Sequence, residues 1–153
     1  MSCSRQDKII STPSLGDETR RVALKTLIQE GCLTSLYNHA FASSRIDWIR
    51  NYSLLALAKF ATINTSSNEV AITLQDDEIP LSNEMDTFKL KKKAARLLFM
   101  FTTTVNKPRK FKKISLMGLI AGEHWDYCEE LERDSTVEEW IKKTIYSAMK
   151  TKK

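Results

Sequence analysis

Ten basic residues and no acidic one fall between Lys89 and Lys113. They form two clusters, Lys89/Lys91/Lys92/Lys93/Arg96 and Lys107/Arg109/Lys110/Lys112/Lys113, which bracket the most apolar run of the chain, Leu97 to Phe101. Cations at this density can neutralise several phosphates, and Phe111 inside the second cluster reads as an exposed ring free to stack on a base. The candidate residues for an anionic partner or nucleic acid are therefore Lys89, Lys92, Lys93, Arg96, Lys107, Arg109, Lys110, Phe111, Lys112 and Lys113. The same pattern also describes a solvated helix face with a charged turn, an acidic protein surface's counterpart, a nuclear-import signal or a contact with anionic lipid.

Other residues that could do chemistry have less around them. Glu123-His124-Trp125-Asp126 places a titratable ring beside carboxylates, the minimum for acid–base work. No nucleophile or glycine-rich phosphate cradle accompanies it, so a helix-end His beside a core Trp is the ordinary reading. Asp76-Asp77-Glu78 offers oxygen ligands without the glycine and spacing of a calcium loop, and reads as a polar turn. Cys3, Cys32 and Cys128 are odd in number, widely spaced and without a CxxC pair, as expected for reduced thiols. With only His39 and His124 beside them, no metal or cofactor is expected, and the chain reads as a non-enzyme.

The charge of the whole molecule fits a binding protein. The 153 residues carry a net charge of +5 and a pI near 9.1, which permits an anionic partner without demanding one. Acidic residues concentrate in 69–86 and 123–139, so basic and acidic segments could neutralise one another or dock copies head to tail. No stretch is long and apolar enough to span a bilayer, and the first residues lack a signal-peptide core. A cytoplasmic or nuclear location follows.

The elements that must position these residues read as helices. Four Gly and three Pro disfavour a turn-rich β fold. Residues 1–16 look like a flexible leader. Asp17 then caps a helix whose apolar residues (Leu24, Leu27, Ile28, Leu33, Leu36, Ala40) recur at helical spacing to Phe41, with Gly31 as a possible break. Residues 45–63 are apolar on most sides and read as the central helix. Val70, Ile72 and Leu74 alternate as one short strand at 69–75, or an extended loop over 64–82. A third helix ends before Pro108, a fourth spans Ile114–Leu131, and Ser135-Thr-Val-Glu138 is a capping box opening the last. No internal repeat is visible. The expectation is an all-α single domain over 17–150, a compact bundle of about five helices.

The C-terminal 60 or so residues resemble the small basic C accessory proteins of paramyxoviruses. The likeness lies in Leu97-Leu-Phe-Met-Phe-Thr-Thr-Thr-Val105, the basic turn at 107–113, and two short helices ending in a basic tail. The resemblance implies a non-enzymatic protein that binds host proteins, blunts interferon signalling and tempers viral RNA synthesis. It carries over no residue-level role. Residue chemistry alone favours a protein-interaction module or self-association, with RNA or DNA binding by 89–113 as the alternative.

Overall fold

The computed structural model describes residues 2–63 and 87–151, and all regular structure among them is helical. Eight helices follow in order: α1 Ser2–Ile10, α2 Asp17–Gln29, α3 Leu33–Phe41, α4 Asp47–Ala61, α5 Thr87–Thr103, α6 Arg109–Ala121, α7 Trp125–Arg133 and α8 Glu139–Thr151. The all-α class agrees with the sequence pattern, and the count of about five does not. Two expected helices are each broken in two. Gly31 turns the chain with φ 68°, which separates α2 from α3. Glu123, directly after Gly122, takes φ 59° and separates α6 from α7. The expected strand at 69–75 and the Asp76-Asp77-Glu78 turn lie outside the described residues.

The remaining additional helix, α1, occupies the expected leader. Residues 2–10 pack on α2, with Ile10 fully buried and Ile9 against the core. Cys3 is joined to Cys32, their Cα atoms 6.1 Å apart, so the expectation of reduced thiols is corrected for these two, and Cys128 is the one cysteine outside a disulfide. Such bonds are rare in reducing compartments, so the cysteines no longer point to the cytoplasm or nucleus. The expected capping box does not form either. Asp134 Oδ1 accepts from the Thr136 amide and hydroxyl, and Glu138 turns instead to Lys112.

The central helix is α4, as its all-round apolar pattern requires. Ile49, Leu54, Ala56, Leu57, Phe60 and Ala61 are all completely buried, packed by α3, α5 and α6. Each large side chain so placed contributes about 1.5–3 kcal/mol of burial. Arginines tie the hairpins: Arg20 Nε donates to the Ile10 carbonyl at the end of α1, and Arg50 Nε to the Ala40 carbonyl near the end of α3. Each places a cation on the carbonyl end of a helix.

The fold also contains a repeat that the sequence pattern hid. A constant shift of 92 residues, Gly31 to Glu123, carries α1–α4 onto α5–α8 without a gap. Cys32 (φ −80°, ψ 65°) matches His124 (φ −85°, ψ 62°), and Ala42 (φ −68°, ψ 112°) matches Asp134 (φ −82°, ψ 114°). Hydrogen bonds match too. Cys32 N donates to Leu27 O and His124 N to Leu119 O, each at 2.9 Å, and Thr12 and Thr104 hydroxyls return to Lys8 and Met100 carbonyls. Identical residues survive at Leu24/Leu116, Leu27/Leu119, Ile28/Ile120, Ser43/Ser135, Trp48/Trp140 and Ile49/Ile141. Charge survives at Arg20/Lys112, Asp47/Glu139 and Arg50/Lys142. Within each half the helices pack in the same pairs, and α4 joins the halves by packing on α5 and α6.

Candidate functional site

The fold divides the basic block in two. Its second cluster, at the turn between α5 and α6, is partly engaged by the rest of the molecule, with Lys112 buried, Lys107 half-buried and Arg109, Lys110 and Lys113 exposed. The Lys107 ammonium donates to the Phe41 carbonyl at the end of α3 and lies 3.7 Å from the centre of the Phe41 ring. This burial lowers the Lys107 pKa. Lys110 pairs with Asp47, whose carboxyl is held below its usual range by that hydrogen bond. Lys112 is buried and hydrogen-bonds both oxygens of Glu138 at 3.0 Å. Arg109 lies 4.6 Å over the half-buried Trp140 ring.

Phe111 corrects a sequence expectation outright. It is 1% exposed, with the Arg50 guanidinium 4.5 Å over its ring, so it is not presented to solvent for stacking on a base. The signal that misled was its setting among five cations, which reads as surface. Four of those cations, Lys107, Arg109, Lys110 and Lys112, tie the turn to α3, α4 and the start of α8, and Phe111 is the apolar centre of the joint.

The first cluster stays outside. Lys89, Lys92, Lys93 and Arg96 lie on the exposed side of α5, three or four residues apart, while Ala94, Ala95, Leu97 and Leu98 bury the other side. The Lys92 ammonium sits 4.8 Å over the ring of Phe88, which is 67% exposed. Met100 continues the exposed side one turn beyond Arg96. The result is one helix face combining cations with two large apolar side chains. Lys113, on α6, is exposed as well.

Both histidines are structural in their contacts. His39 is buried between Asp7 and Arg45. Arg45 Nε can only donate, so Nδ1 of His39 accepts it, and the ring proton sits on Nε2, which donates to Asp7 Oδ1 at 2.9 Å. Ser35 donates to the other Asp7 oxygen at 2.9 Å. The three residue types of a hydrolytic triad thus meet, but the carboxylate sits between Ser and His, where it straps α1 to α3. Sequence reading missed this cluster because Asp7 lay in a presumed leader. His124 Nε2 donates to the Ala61 carbonyl at 2.8 Å if that nitrogen carries the proton, joining α7 to the end of α4. Burial lowers the pKa of both rings.

Among the described residues no three His, Cys, Asp or Glu side chains converge as metal ligands, and no helix is long and apolar enough to cross a membrane. No family model, curated protein or solved structure matches this chain.

Proposed function

We propose that the protein is a non-enzymatic interaction module that binds an acidic partner protein through the exposed face of α5. The observation that carries this reading is the mixed character of that face. Lys89, Lys92, Lys93 and Arg96 share it with exposed Phe88 and Met100. Carboxylates facing the cations give register and on-rate, and the apolar pair supplies buried area. The likeness to the C-type accessory proteins extends the proposal to a viral protein that binds host factors and modulates interferon signalling and viral RNA synthesis. That extension rests on the residues of the resemblance and not on the fold.

The second reading, RNA or DNA binding, is favoured by the density of exposed cations on one helix. It has lost the buried Phe111 as a stacking platform and the buried Lys112 as a phosphate contact, and Lys107 is turned to the Phe41 carbonyl. Fluorescence anisotropy of a labelled single-stranded RNA at low and near-physiological salt decides between them. The protein-interaction reading expects weak binding at low salt that Phe88→Ala leaves unchanged. Micromolar affinity with a steep salt slope, abolished by Lys92→Glu with Lys93→Glu and Arg96→Glu, would overturn it in favour of nucleic acid.

A further inference from the structure

The repeat makes one half of the molecule a guide to what the other half lacks. In the first half, the hairpin α3–α4 forms a socket that includes Phe41, Asp47 and Arg50. The α5–α6 turn fills it: Lys110 meets Asp47, Phe111 meets Arg50, and Lys107 caps the end of α3. In the second half, the hairpin α7–α8 carries a groove of about 460 Å³ lined by Glu132, Glu139, Lys142, Lys143, Tyr146 and Ser147. Shifting these six by 92 residues gives Ala40, Asp47, Arg50, Asn51, Leu54 and Leu55. The groove is the second copy of the socket, and its Glu139, Lys143, Tyr146 and Ser147 are exposed.

We propose that this groove binds a partner polypeptide that enters with a basic, aromatic-bearing first helical turn, the chemistry of Lys107–Phe111. The retained charges argue for it. Glu139 stands where Asp47 holds Lys110, and Lys142 where Arg50 covers Phe111. Glu132 replaces Ala40 and adds a second carboxylate for an incoming lysine. Tyr146, 59% exposed, replaces the buried Leu54 and offers a ring to the aromatic side chain. A second copy of the chain fits poorly. Its matching residues are Leu15, Glu18 and Thr19, so Glu18 would face Glu139. The groove therefore does not take the matching segment of a second copy and selects a different chain.

The probe is a labelled synthetic peptide with the sequence of Val105–Leu116, titrated into the full chain and read by anisotropy. Saturable binding is expected, weakened at least about tenfold by Glu139→Lys in the protein or by Lys110→Glu in the peptide. Combining the two variants should restore most of the affinity, which a diffuse attraction of a basic peptide to an acidic surface would not do. Tyr146→Ala and the Phe111→Ala peptide should each weaken binding as well. Glu139 and Tyr146 are exposed, so the variants are expected to keep the wild-type thermal melt. No saturable binding, or binding indifferent to Glu139→Lys, overturns the proposal, and so does failure of the swapped pair to recover. A concentration-dependent dimer of the protein alone, lost with Glu139→Lys, would give the groove to a second copy and overturn it too.

Discussion

The ammonium of Lys112 lies 3.0 Å from both carboxylate oxygens of Glu138, but the two partners are unequally buried. The lysine side chain is 3% exposed and the glutamate 42%. This asymmetry sets what each deletion costs. Glu138→Ala leaves a cation deep between α6 and the start of α8 without its counter-charge, and should cost about 3 kcal/mol or more. Lys112→Met keeps the volume and leaves a carboxylate that water can reach, so its cost should be about 1 kcal/mol. Urea unfolding of the two variants measures the difference, and equal costs would contradict the account.

Gly118 marks a close approach of α6 to α4. A Cβ built there would sit 3.0 Å from the Ala58 Cβ and 3.1 Å from its Cα, with Leu98 Cδ1 at 2.7 Å. Leu98 can turn away, but Ala58 belongs to the central helix and cannot. Gly118→Ala gains about 1 kcal/mol of helix propensity and loses about 1–3 kcal/mol to overpacking. A net loss of stability is expected by urea denaturation. A gain would mean that the helices separate easily at this crossing.

Acidification should weaken the fold through His39 and His124. Burial lowers both pKa values below the ordinary 6.5, against the pull of Asp7 on His39 and of the Ala61 carbonyl on His124. As pH falls through 6.5 the unfolded chain takes up these protons before the folded one does, so stability present at pH 7 declines until the folded pKa values are passed. Urea midpoints should therefore fall between pH 7 and pH 5. With His39→Gln and His124→Gln combined, that decline should flatten, and an unchanged slope would move its cause elsewhere.

The bond between Cys3 and Cys32 closes a loop with a sequence separation of 29 residues. Denatured, unreduced protein should titrate one thiol, that of Cys128, and three after reduction. By loop-closure entropy the bond contributes about 3–4 kcal/mol, so Cys3→Ser should lower stability by about that amount. Three thiols without reductant would return the chain to the reduced state that its cysteine spacing suggested.

How far the sequence could be read follows the range of the forces involved. The steps of three and four in Leu24, Leu27 and Ile28, and the nearly all-round apolar character of residues 49–61, are local, and they announced helices and the central position of α4. The breaks after Glu30 and after Gly122 depend on single left-handed residues, and Glu123 at φ 59° carries no compositional warning. The basic block was legible as a cluster but not as two populations. Whether Lys110 faces solvent or Asp47 is settled 63 residues away along the chain. The repeat was hidden for a similar reason. Only a scattering of its positions are identical, while its turns are held by matching backbone hydrogen bonds that a reading of side chains does not see.

The two matched halves meet where α3 and α4 pack against α5 and α6, with Phe111 at the centre of the joint. Each half carries its own four-helix plan, so the covalent link between Ile63 and Thr87 need not be what holds them together. Residues 2–63 and 87–151, produced as separate polypeptides, should recombine in a one-to-one complex that Phe111→Ala weakens, as sedimentation would read directly. A molecule that reassembles from its halves in this way is a dimer that happens to be written on one chain.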